Sequence, residues 1–108
     1  MVNPANSLKR LLLITYDIED DRGRTKLAKM LKQLGFERLQ YSVFSGVCTP
    51  AQWKGWYKRI EKLFNHFYNE GDKLYVIPQS RQLFEKMQVA GKGFDMEWIT
   101  GKTEILYY

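Results

Sequence analysis

Residues 11–14 read Leu-Leu-Leu-Ile, and Thr15-Tyr16-Asp17 follow at once. Four apolar residues in a row, with no polar alternation, predict a strand buried on both faces, which places it in the middle of a sheet. The predicted strand covers residues 11–17 and ends on a carboxylate, Asp17. Glu19, Asp20 and Asp21 come next, followed by a segment carrying Arg22, Arg24, Lys26, Lys29 and Lys32. A central strand that delivers an acid beside a basic segment is a place where a metal ion can meet a phosphate.

With 108 residues the chain has the length of one domain, residues 1–108, large enough to bury a core without disulfides. One cysteine, Cys48, excludes an internal disulfide and suits a reducing compartment. One Cys and one His exclude a zinc cluster. No apolar run approaches the ~20 residues of a membrane span, and residues 1–7 read as a loose leader without the features of a signal peptide. The expectation is a soluble cytoplasmic protein with no membrane partner. The formal charge of +5 points to an anionic partner, nucleic acid first.

A first helix is predicted over residues 21–34, capped by Asp20 or Asp21, with Leu27, Met30, Leu31 and Leu34 as its buried stripe and Gly35 as its stop. Residues 37–48 read as one bent strand or a tight hairpin. Leu39, Tyr41, Val43 and Val47 fall on one face; Arg38, Gln40, Ser42, Phe44 and Gly46 fall on the other. Gly46 suggests a bulge or a close approach. Thr49-Pro50-Ala51-Gln52 is a capping box with proline at the first helical position. Trp53, Trp56, Tyr57, Ile60, Leu63, Phe64 and Phe67 continue it at helical spacing, a stripe expected to pack on a sheet. Residues 73–77 read as a second buried strand closed by Pro78. Residues 80–89 read as a short helix with Leu83, Phe84 and Met87 inward, and residues 94–100 and 103–107 as strands around Gly101-Lys102.

This order predicts an α+β fold, a ferredoxin-like β-α-β-β-α-β sandwich with an extra C-terminal strand. Two helices on one face leave the other sheet face bare, and a second copy of the chain is the simplest cover for it.

The motif Tyr16-Asp17-Ile18-Glu19-Asp20-Asp21, a basic first helix, and Arg38-Leu39-Gln40-Tyr41-Ser42-Val43-Phe44-Ser45-Gly46 closely resemble the CRISPR-associated protein 2 family, the small subunit of spacer acquisition. The resemblance implies a homodimer with facing sheets, in which the C-terminal segment, about residues 94–108, extends the partner's sheet. It implies work with the CRISPR integrase subunit in antiviral defence. For some members it implies Mg2+-dependent endonuclease activity on single-stranded RNA or double-stranded DNA; others act as non-catalytic DNA-binding scaffolds. It assigns a metal and catalytic role to Asp17, catalytic or site-shaping roles to Tyr16, Arg38, Ser42 and Phe44, and nucleic-acid contacts to Arg22, Arg24, Lys26 and Arg38. Two departures are Gly23, in a helix start that is often more basic, and Lys26, where some relatives carry Arg.

One Asp17 per chain is few ligands for magnesium, which takes about six oxygens. Two copies across a twofold axis, with water and phosphate, would complete the shell. Arg38 and Ser42 would orient the phosphate. Glu19, Asp20 and Asp21 are expected mainly to cap a helix, Tyr16 to position rather than catalyse, and His66 and Cys48 to be structural. A more distant reading is a stand-alone ribonuclease toxin of the same fold.

Overall fold

The computed structural model describes residues 8–90. The expected leader and the strand pair after residue 93 lie outside the described residues. The described elements run β1 (Arg10–Asp17), α1 (Asp21–Gln33), β2 (Glu37–Gln40), β3 (Val43–Cys48), α2 (Pro50–His66), β4 (Lys73–Gln79) and α3 (Arg81–Glu85). The sheet order is β2-β3-β1-β4, with every neighbouring pair antiparallel. This is the ferredoxin-like arrangement, and β1 is an inner strand as its unbroken apolar run requires.

Alternation along β1 assigns its residues to two cores. Leu12, Ile14 and Tyr16 join Leu27, Ala28 and Leu31 of α1, Phe44 of β3 and Ile60 of α2. Trp53, Trp56, Leu63 and Phe64 pack against the same cluster, so most of the aromatic stripe of α2 lies on the sheet as its spacing predicts, but Tyr57 is exposed and outside the cluster. Leu11, Leu39 and Phe84 form a second cluster with Leu13, Val43, Val47 and Met87 around it. Helix α3 therefore partly covers the face opposite α1 and α2, which sequence reasoning left wholly bare.

The caps follow local chemistry. Asp20, not Asp21, closes the start of α1, its Oδ1 accepting from the Gly23 N–H at 2.9 Å. The capping box of α2 is reciprocal: Gln52 N–H donates to Thr49 Oγ1 at 3.1 Å, and Thr49 N–H donates to Gln52 Oε1 at 2.9 Å. Ser80 caps α3 through the Leu83 N–H at 3.0 Å.

Several expectations change. Residues 37–48 are a hairpin whose turn is Tyr41-Ser42, with a register shift between Arg38 and Gln40. Tyr41 is 66% exposed, so it does not share the buried face of Leu39. β4 is an edge strand, not a buried one: Tyr75 and Ile77 are exposed while Leu74 and Val76 pack inward. It also runs through Pro78, which an edge strand tolerates because one side needs no ladder donor. α3 is shorter than residues 80–89, and Leu83 points outward at 61% exposure. His66 is exposed on the last turn of α2, its ring edge-on to Phe67 at 4.7 Å, and is no core residue. Among the described residues, no helix is long and apolar enough to cross a membrane.

Candidate nucleic-acid interface and catalytic residues

The end of β1 presents two different sites, because successive side chains of a strand point to opposite faces. Tyr16 is buried in the helix-side core. Asp17, the next residue, is exposed on the other face, with Lys73 of β4 as its cross-strand neighbour.

On the helix side, β1, β2 and β3 bring three nominated residues together. The Tyr16 and Phe44 rings stack with centroids 6.2 Å apart and planes 19° from parallel. Arg38 is the register partner of Phe44, and its guanidinium lies 5.1 Å from the Phe44 ring centre. The same guanidinium hydrogen-bonds the Tyr16 side chain. Burial raises the Tyr16 pKa above its ordinary value, and the hydrogen bond and charge of Arg38 partly oppose that rise. The phenol therefore stays neutral near pH 7, which suits a positioning group and not a general base. Ser42 enters through its backbone: its carbonyl accepts from the Tyr16 N–H at 3.2 Å, tying the hairpin turn to the end of β1.

Arg24 has a structural task that its sequence did not reveal. Its Nη1 donates to the carbonyls of Ile18 and Glu19, each at 2.7 Å, and its Nη2 pairs with Asp21. The guanidinium thus clamps the loop between β1 and α1. Lys26 sits 5.4 Å from the centre of the Phe67 ring, and Arg22 is exposed. Of the nominated nucleic-acid residues, Arg24 and Arg38 share one cavity, whereas Arg22 and Lys26 lie outside its lining. That cavity, of about 530 Å³, lies between α1 and the hairpin and is also lined by Tyr16, Lys29, Lys32 and Tyr41. Four cations and no carboxylate line it, an arrangement that fits an anion. Sequence reasoning missed Lys29, Lys32 and Tyr41 as site residues. The available signal was Thr25, Lys29 and Lys32 at helical spacing on one face of α1. A second groove, of about 670 Å³, sets Lys26, Arg59 and Lys62 around an apolar floor that includes Met30 and Leu63.

Asp17 stands alone by comparison. Among the described residues, no group of three or more His, Cys, Asp or Glu side chains is placed to hold a metal ion. Nearby acids are engaged: Asp20 caps α1, Asp21 pairs with Arg24, and Asp72 accepts from the Glu19 and Asn69 N–H groups at 3.1 and 2.9 Å. The described residues of one chain do not fit a magnesium shell. Cys48 is buried, and burial pushes its thiol pKa up, so it packs and does not react.

The family described as CRISPR associated protein Cas2 matches residues 10–87, from β1 through α3. A CRISPR-associated endoribonuclease Cas2 of Thermus thermophilus is 50% identical over 54 residues, which cover 50% of this chain and 56% of that protein. Another, from Synechocystis sp., is 34% identical over 82 residues, covering 76% of this chain and 85% of that protein. The crystal structure of a hypothetical protein from Thermus thermophilus superposes with a TM-score of 0.64 and 32% identity, covering 80% of this chain and 95% of that one. The expected family is therefore matched across the whole described sheet and all its helices, and the chain belongs to the CRISPR-associated Cas2 family.

Proposed function

We propose that this chain works as a homodimeric, Mg2+-dependent endonuclease on RNA or duplex DNA, partnered with the CRISPR integrase subunit in spacer acquisition. The observation that carries the reading is the position of Asp17. It is exposed at the end of β1, on the sheet face away from α1 and α2, at the same strand end as the Tyr16–Arg38–Phe44 cluster. Tyr75 and Ile77, 51% and 38% exposed, share that face through their pairing with Thr15 and Leu13. Apolar exposure of this kind favours cover by a second copy.

A twofold axis near β1 would bring two Asp17 carboxylates together, and both would bind the ion. The paired Asp17 carboxylates would hold the ion, which would supply charge stabilisation to the phosphate and make water easier to deprotonate. Hydrolysis joins a water oxygen to phosphorus and releases the ester oxygen as an alcohol. Arg38, packed on Phe44 on the opposite, helix-side face, would hold the nucleic-acid backbone in the basic cleft there and would not touch the phosphate at Asp17. The test is cleavage of RNA and of duplex DNA with and without magnesium. Asp17→Asn should abolish cleavage while the dimer persists. Equal cleavage by the variant sinks the reading.

A second reading is a non-catalytic scaffold, and the lack of a metal-ligand cluster around Asp17 among the described residues favours it. Two basic clefts grip backbone charge without any need for a metal. Spacer acquisition that survives Asp17→Asn would support the scaffold; acquisition lost with the complex intact would support the nuclease.

A further inference from the structure

Tyr41 occupies the turn between β2 and β3, a position where small polar residues are usual. It belongs to neither core cluster and is 66% exposed, the most exposed of the large apolar side chains among the described residues. Core packing among the described residues therefore does not explain a tyrosine there. Its ring is nevertheless not adrift: the Arg38 guanidinium lies 5.4 Å from its centre. Arg38 is in turn held by the buried Tyr16 side chain and the fully buried Phe44 ring. An exposed aromatic surface is thus tethered, through one arginine, to the core.

Behind this ring lies the cavity of about 530 Å³ with Arg24, Lys29, Lys32 and Arg38 in its walls. That volume is in the range of small-ligand pockets. Cations alone would suit the phosphates of any nucleic acid. An exposed ring beside them adds nothing for a duplex, whose base faces are covered by stacking. It adds a platform for a base that is free of the stack.

We propose that this pocket takes one unpaired nucleotide of a single strand, its base resting on Tyr41 and its phosphate between Lys29, Lys32 and Arg38. The inference rests on the reading of the chain as a nucleic-acid-binding protein and goes further by naming a subsite for single-stranded substrate. The hairpin turn that carries Tyr41 is tied to Tyr16, the residue before Asp17, so the subsite lies at the strand end that bears the candidate catalytic acid. It discriminates single strand from duplex at that end.

The test uses the full chain and fluorescence anisotropy with two probes, a short single-stranded RNA and a blunt DNA duplex. Tyr41→Ala should weaken single-strand binding by about tenfold and leave duplex binding within about twofold, and Tyr41→Phe should retain wild-type binding of both. A 2-aminopurine base in the single strand should be quenched by the wild type and not by Tyr41→Ala. Unchanged single-strand binding by Tyr41→Ala, or equal weakening for both probes, overturns the subsite while the broader reading stands. A wild-type chain that binds neither probe overturns both.

Discussion

Arg38 and Phe44 face each other across the β2–β3 hairpin as register partners, with the guanidinium 5.1 Å from the centre of the buried ring. The contact couples an exposed cation to the hydrophobic core, and the hydrogen bond to Tyr16 couples it a second time. Arg38→Ala removes both and should cost about 1–2 kcal/mol of stability. Arg38→Lys keeps the charge but loses the planar fork, and should recover less than half of that loss. Urea unfolding of the three proteins checks the order. A lysine variant as stable as the wild type would mean that charge alone holds the contact.

Alkaline pH should weaken the fold. Burial raises the pKa of both Tyr16 and Cys48 above their unfolded values. Each group is neutral in the protonated form, so the folded state holds its proton more tightly than the unfolded chain. Stability from these two groups is complete below their unfolded pKa values, about 8.5 for the thiol and about 10 for the phenol, and is lost as pH rises through the folded ones. Tyr57 shifts the same way, but at 38% exposure it contributes little. Urea midpoints measured from neutral to alkaline pH should be flat and then fall above about pH 8.5. Tyr16→Phe should blunt the upper part of the fall.

Two glycines on helices should respond to alanine with opposite signs. A Cβ at Gly23 would lie 2.7 Å from Phe67 Cβ, so α1 and the end of α2 can approach this closely only without it. The gain of helix propensity, ~1 kcal/mol, is outweighed by overpacking, and Gly23→Ala should lose about 1–2 kcal/mol net. A Cβ at Gly55, on α2, meets nothing within 4 Å, and Gly55→Ala should gain up to about 1 kcal/mol. Thermal or urea unfolding of the two variants side by side reads the signs directly.

What the sequence revealed, and what it hid, divides along the range of the interactions. Helix starts were legible because caps are local: Asp20 and the Thr49–Gln52 pair act within three residues. β1 was legible because burial on both faces leaves an unbroken apolar run. The hairpin stayed undecided because the alternation of Leu39, Val43 and Val47 continues across the turn with its parity unchanged. β4 looked buried because strand order, not its own residues, makes it an edge. Gly46 is small for a distant reason: a Cβ there would lie 2.6 Å from Phe36 Cδ2, a contact between the strand and the residue just before β2. Arg24 looked like a phosphate ligand because its targets, the Ile18 and Glu19 carbonyls, carry no side-chain signal. Tyr16, Arg38 and Phe44 could be nominated together only through the family resemblance, since they come from three strands.

Ile77 lies opposite Leu13 on the sheet face that carries Asp17, and it is 38% exposed in the single chain. Replacing it with lysine puts a charge on the face proposed to meet a second copy. The single chain should lose no more than about 0.5 kcal/mol, because surface substitutions act weakly. A dimer should lose far more, since a buried unpaired charge is costly. Sedimentation should therefore show a wild-type dimer and an Ile77→Lys monomer that remains folded by circular dichroism. If metal-dependent cleavage needs two Asp17 side chains, the folded monomer should also be inactive although its own Asp17 is intact. A monomeric variant that cleaves at the wild-type rate would place the metal site within one chain. A wild-type protein that sediments as a monomer would remove the second carboxylate on which the proposed metal site depends.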